Sequence, residues 1–137
     1  MKSITAGILA FAFLVAQSHA TAVCGRFTPA NESDCTKLID DSIGVEVPAP
    51  IVNGQAVLAF GTCAIVTRPS PGQAVITKDF LARRGNAILD ACDNDRISGF
   101  QQDPNFSRTC MLNRAAYVSL YFPICFLLIW ANRVSQC

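Results

Sequence analysis

QAVLAFGTCAIVTR, residues 55–68, is the stretch on which the fold turns, nearly all apolar with Gly61 and Cys63 at its middle. Even positions give Ala56, Leu58, Phe60, Ala64 and Val66, and odd positions give Val57, Ala59, Cys63 and Ile65. With both parities apolar, the period-two pattern predicts one long strand, central in a sheet and covered on both faces. Gly61 in its interior predicts a bulge or a close backbone approach. Cys63 is expected to staple this strand to another element; a buried thiol in a plain core strand is the alternative.

The flanks of this stretch carry turn chemistry. Asn53-Gly54 supplies two residues tolerant of positive φ, the strongest hairpin signal in the chain, and links residues 51–52 to the long strand. Arg68-Pro-Ser-Pro-Gly72 ends it in an exposed loop. Upstream, Val45-Glu46-Val47 alternates, but Pro48 and Pro50 follow and restrict any strand there to an edge.

Two helices are legible. Ser33 is a candidate N-cap, Asp34 suits a first turn and Gly44 a C-terminal stop, while Cys35, Leu38, Ile39 and Ile43 form one apolar stripe. Thr77 is the candidate N-cap of a second helix over residues 78–92, with Asp79 in its first turn and Leu81, Gly85, Ile88 and Cys92 facing inward. Arg83 and Arg84 are neighbours and diverge around that helix, as a solvated surface pair does. Residues 74–76 are a candidate short strand. Residues 93–106 read as a polar turn region, and residues 107–112 and 115–122 read as a final hairpin joined at Asn113-Arg114. Helix, hairpin, helix, hairpin predicts an α+β domain with two helices on one face of an antiparallel sheet.

The chain begins MKSITAGILAFAFLVAQSHA. A positive Lys2, an apolar run and small residues before position 21 are the anatomy of a secretory signal peptide, so residues 1–20 are set apart from the fold. The remaining 117 residues make one small domain, divided at residue 122 into an effector-like part, 21–122, and an apolar extension, 123–137. Ten basic and ten acidic residues remain, which gives no charge excess to attract nucleic acid. The only histidine, His19, leaves with the signal, which removes Ser-His-Asp and Cys-His pairs and histidine-ligated metal sites. No catalytic, metal or cofactor site is expected.

All seven cysteines, at 24, 35, 63, 92, 110, 125 and 137, lie after the signal. In a small secreted chain they read as a disulfide scaffold, and the odd number leaves one over. No CxxC occurs, which removes zinc-ribbon and thioredoxin-like readings.

In order along the chain stand Cys24-Gly25, Ser33-Asp34-Cys35 opening a helix, Phe60-Gly-Thr-Cys-Ala64, a helix with Asp79 in its first turn, and Cys110 ahead of Val118-Ser-Leu-Tyr121. This set, over residues 24–122, resembles the secreted fungal family of necrosis-inducing factors, homologues of extracellular protein two. The resemblance implies an apoplastic, non-enzymatic effector that induces plant necrosis or is recognised by a host receptor. It also implies an architecture shared with fungal and viral killer toxins. Cys24, Cys35, Cys63 and Cys110 match the family's cysteine frame, whereas Cys92, Cys125 and Cys137 fall outside it. The expected staple joins Cys35 to Cys63, with Cys24 reaching a later cysteine such as Cys110. Cys24, Cys35, Cys63, Cys92 and Cys110 are the candidate disulfide residues.

The remaining candidates are weaker. Asn31-Glu-Ser33 and Asn105-Phe-Ser107 are N-glycosylation sequons, both expected in exposed loops. Glu46, Asp93, Asp95 and Asp103 are carboxylates that a hydrolase reading would recruit, but their spacing selects no pair. Residues 120–131 form an uncharged apolar run of 12, interrupted by Pro123 and too short for the ~20 residues of a bilayer span. It is expected to pack on the sheet, to form an exposed patch for a membrane surface or a partner without crossing, or to be a gene-model extension beyond a domain that ends near residue 122. The partner expected is a host plant protein or cell-surface receptor. A secreted inhibitor or cell-wall-binding module is the alternative.

Overall fold

A computed structural model describes residues 22–72, 75–92, 97–102 and 108–119. The expected signal peptide, both domain boundaries, Asn105, Asp93, Asp95, Asp103 and the apolar run lie outside the described residues. The fold is α+β: a six-stranded, wholly antiparallel sheet with helices packed against it. In chain order the elements are β1 (Ala22–Cys24), α1 (Glu32–Asp40), β2 (Ile51–Val52), β3 (Gln55–Phe60), β4 (Cys63–Thr67), α2 (Lys78–Ala91), β5 (Gly99–Gln101), β6 (Thr109–Asn113) and α3 (Arg114–Ser119). Across the sheet the order is β1-β5-β6-β4-β3-β2.

The single long strand expected over residues 55–68 is two strands. The chain folds back at Gly61-Thr62, and β3 pairs with β4 in register Phe60↔Cys63, Leu58↔Ile65 and Ala56↔Thr67. A 14-residue strand would exceed the usual 3–10, and a two-residue connection with glycine first is a standard hairpin turn. Coverage on both faces is found all the same. All of β4 is buried, with Cys63 and Ile65 in the core under the helices and Val66 in a second cluster with Val57, Cys110, Leu112 and Tyr117. The Asn-Gly turn before β3 forms as expected, with Asn53 at φ 50° and Gly54 at φ 76°.

Both long helices lie over the first face. Leu38 and Ile39 of α1 and Leu81 and Ile88 of α2 meet Leu58, Ile65 and Met111 of the sheet. α2 starts where the sequence predicts, with Thr77 accepting from the Phe80 N–H. Gly85 brings α2 down onto the sheet, because a Cβ there would fall on the Ile65 side chain. In α1 the cap is Asn31, two residues ahead of the expected Ser33, and its side chain accepts from the Ser33 N–H. The helix ends at Asp40, so Ile43 falls in the following turn and is 44% exposed instead of completing the stripe.

The predicted final hairpin does not form. β6 is flanked by β4 on one side and β5 on the other, so it has no free edge for a further strand. The chain leaves β6 as α3, whose start is capped by Asn113 Oδ1 accepting from the Ala115 N–H at 2.9 Å. Two short strands come from stretches that read as loop. β1 and β5 are three residues each, too short to show alternation, and they pair with one another at the sheet border. No strand forms at residues 75–76 or 45–47; instead Ile76 and Val47 offer carbonyls to the Ala49 and Lys78 N–H groups.

Candidate functional site

Two disulfides are present among the described residues. Cys35–Cys63 joins α1 to β4, the staple expected, with both residues wholly buried. Cys24 pairs with Cys92, not with Cys110. The reason is placement: β1 lies at the sheet border beside the end of α2, where Cys92 caps the helix. Cys110 points to the opposite face, in the cluster with Val66 and Leu112, and is disulfide-bonded there.

The most densely bonded polar corner surrounds Cys35–Cys63. Ser33-Asp34-Cys35 and Phe60-Gly-Thr-Cys-Ala64 are 28 residues apart at their cysteines yet interlock. Asp34 Oδ2 accepts from both the Thr62 N–H and the Thr62 hydroxyl, each at 2.8 Å. The Asn31 N–H donates to Thr62 Oγ1 at 2.9 Å, and the Arg114 N–H donates to the Thr62 carbonyl. Gly61, at φ 53°, leaves the space that the Asp34 carboxylate fills. Close approach was the right expectation for Gly61; the bulge was not. Asp34, Cys35, Gly61, Thr62 and Cys63 therefore each have a structural task. The pairing of Asp34 with Thr62 carried no signal in the sequence, because it needs the tertiary fold.

A second carboxylate acts the same way at the other end of α1. Asp79 of α2 is only 7% exposed and accepts from the Gly44 N–H at 2.6 Å and from Arg83 Nε at 2.7 Å. It thus ties the loop after α1 to the first turn of α2. Arg83 is engaged and not merely solvated, though its exposed side chain limits what the ion pair contributes. Glu46 is exposed, and among the described residues no group of three acidic, histidine or cysteine side chains is arranged to hold a metal.

Both carboxyls are held below the ordinary carboxylate range. Asp34 is lowered by the Thr62 N–H and then by its hydroxyl, Asp79 by Arg83 and then by the Gly44 N–H. A depressed folded-state pKa stabilises the fold above the unfolded value of about 3.9, and that stabilisation is lost as pH falls through the folded pKa. The urea midpoint should therefore be flat down to about pH 5 and fall steeply below about pH 4. The double variant Asp34→Asn with Asp79→Asn should be less stable at neutral pH and show a shallower acid limb. An unchanged acid limb would assign acid lability to other groups.

The surface around the β2 edge is apolar. Ile51 is 59%, Val52 42%, Val47 48% and Val75 69% exposed. They lie on adjoining backbone segments, since residues 47–49 bond to residues 76–78 and the Val57 N–H reaches the Pro50 carbonyl. Pro48 and Pro50 blunt this edge against further strand pairing. No helix among the described residues is long and apolar enough to cross a membrane.

No protein-family model matches the chain, nor does any curated protein or solved structure.

Proposed function

We propose that this chain is a secreted, disulfide-stapled effector or toxin-like protein that acts outside the cell on a host by binding. The observation that carries the reading is the clamp of Ser33-Asp34-Cys35 on Phe60-Gly-Thr-Cys-Ala64. Two of the segments on which the resemblance to necrosis-inducing factors rests meet in one place, and their polar atoms serve the fold. The Asp79 carboxylate is likewise occupied, by the Gly44 N–H and Arg83. Two disulfides on a small sheet suit an oxidising, extracellular setting. The contact surface in this reading is the apolar rim at β2, facing a host plant protein or receptor.

The test is infiltration of the oxidised chain, residues 21–137, into leaves of several plants, with a reduced and alkylated sample as control. Necrosis from the folded sample alone is the expected result. Ile51→Lys with Val52→Glu, both at exposed positions, should abolish it while leaving the circular dichroism spectrum unchanged. No response in any plant would overturn the effector reading in favour of a secreted inhibitor or wall-binding module, for which binding to host proteases and to wall polysaccharide would then be measured.

A further inference from the structure

Asn31 both caps α1 and opens the sequon Asn31-Glu32-Ser33. In Asn31-Glu32-Ser33 the asparagine is the N-cap of α1, with backbone φ −76° and ψ 130°. Its Oδ1 accepts from the Ser33 N–H at 3.0 Å and from the Ser33 hydroxyl at 2.9 Å. Its N–H donates to Thr62 Oγ1, and its carbonyl accepts from the Cys35 N–H. Every one of these bonds runs through the backbone or Oδ1, and none uses the amide nitrogen Nδ2. The residue is exposed and opens onto a broad, shallow depression along the polar side of α1, lined by Glu32, Ser33, Thr36, Lys37 and Asp40.

N-glycosylation uses the atom the cap leaves free. Nδ2 attacks C1 of an oligosaccharide carried on a polyprenyl pyrophosphate. The Nδ2–C1 bond forms, the C1–O bond to pyrophosphate breaks, and one amide proton leaves with the lipid pyrophosphate. The product is still an amide, so Oδ1 keeps its acceptor role. We propose that Asn31 is an N-glycan attachment site whose side chain caps α1 through Oδ1 while it carries the sugar on Nδ2, with the first sugars lying over the polar side of α1. This rests on the chain entering a eukaryotic secretory pathway, as the proposed function requires. The depression offers Thr36, Lys37 and Asp40 as hydroxyl, ammonium and carboxylate partners for sugar hydroxyls. An oxygen acceptor at the N-cap is a standing need of the helix, and alanine there destabilises it.

The experiment is expression of the full chain in a glycosylating yeast, once with its own N-terminus and once fused behind the host's secretion leader. Secreted protein is treated with N-glycosidase F in heavy-oxygen water, which converts a glycosylated asparagine to a labelled aspartate, and is then mapped by peptide mass spectrometry. Label at residue 31 is expected. Because aspartate caps as well as asparagine, an Asn31→Asp variant, which carries the residue that deglycosylation itself leaves, should keep the thermal midpoint of the unglycosylated Asn31 chain. Asn31→Gln should melt about 4–8 °C lower, having lost cap and glycan together. Ser33→Ala, which removes the sequon but keeps the backbone N–H that Asn31 caps, should lose the label and stay close to Asn31→Asp in stability. Secreted protein unlabelled at residue 31, with or without label at Asn105, would overturn the site. Label at residue 31 with Asn31→Asp melting as low as Asn31→Gln would overturn the shared cap. If only the fused chain is secreted and residue 31 is labelled in it, the site stands and the native secretion reading fails.

Discussion

Replacing Cys35 and Cys63 together by alanine is expected to lower the unfolding free energy by about 3–4 kcal/mol, the loop-closure entropy released from a 28-residue span. Set against the 5–15 kcal/mol typical of whole domains, that loss brings the chain close to unfolding, and the urea midpoint should fall by a large fraction. The staple also joins α1 to the most buried strand of the sheet, so its removal loosens two layers at once. Cys24–Cys92 spans 68 residues, for which the same entropy argument gives about 4 kcal/mol. The two bonds differ more in access than in what their spans contribute. Cys24 is exposed on a border strand, whereas Cys35 and Cys63 have no solvent contact. Graded reduction followed by alkylation should therefore modify Cys24 and Cys92 first, with the far-ultraviolet spectrum largely retained. Residues 25–31 stay pinned after that step by the Gly25 and Ala30 N–H groups on Ser98 and Ile97. Cys35 and Cys63 should react only together with global unfolding. The reverse order of alkylation would contradict the buried placement of the α1–β4 staple.

Much of what the sequence disclosed is local, and much of what it hid is tertiary. The Asn53-Gly54 turn, the Thr77 cap and the Leu81, Gly85, Ile88 face each depend on residues a few positions apart, and each is found. The α+β class follows from those pieces. Gly61-Thr62 was also a local signal, but the unbroken apolar run around it reads as one strand until its length is weighed. β1 and β5 were invisible because three residues carry no period; they exist through their pairing and the Cys24–Cys92 bond. α3 was misread because alternation in residues 117–122 suggested a strand, while the decisive fact, that both edges of β6 are occupied, is topological. Of the candidate site, Cys35–Cys63 was legible and the Asp34–Thr62 contact was not. A single aspartate at a helix start looks like ordinary first-turn charge, and only the folded hairpin brings Thr62 beneath it.

Gly61→Ala tests that contact and should cost more than its backbone alone requires. An L-residue at φ 53° pays about 1–2 kcal/mol for the left-handed conformation. Gly54, at φ 76° in the neighbouring turn, has open space where a Cβ would go, so Gly54→Ala measures the conformational cost by itself. At Gly61 the added Cβ would stand 2.5 Å from Asp34 Cγ. The carboxylate must then withdraw, and both Thr62 bonds go with it. Gly61→Ala should accordingly lower the urea midpoint well beyond Gly54→Ala in the native background. In an Asp34→Ala background the obstruction is gone, and the two glycine substitutions should become equivalent. Equal losses in the native background would mean that Asp34 yields without cost and that the α1–hairpin clamp is held by the disulfide and the Asn31–Thr62 bond. Unequal losses that collapse on removing Asp34 would establish Gly61, Thr62 and Asp34 as one unit. If leaf necrosis depends on the folded state, activity should then follow the same order: Gly54→Ala above Gly61→Ala, with the cysteine double variant last.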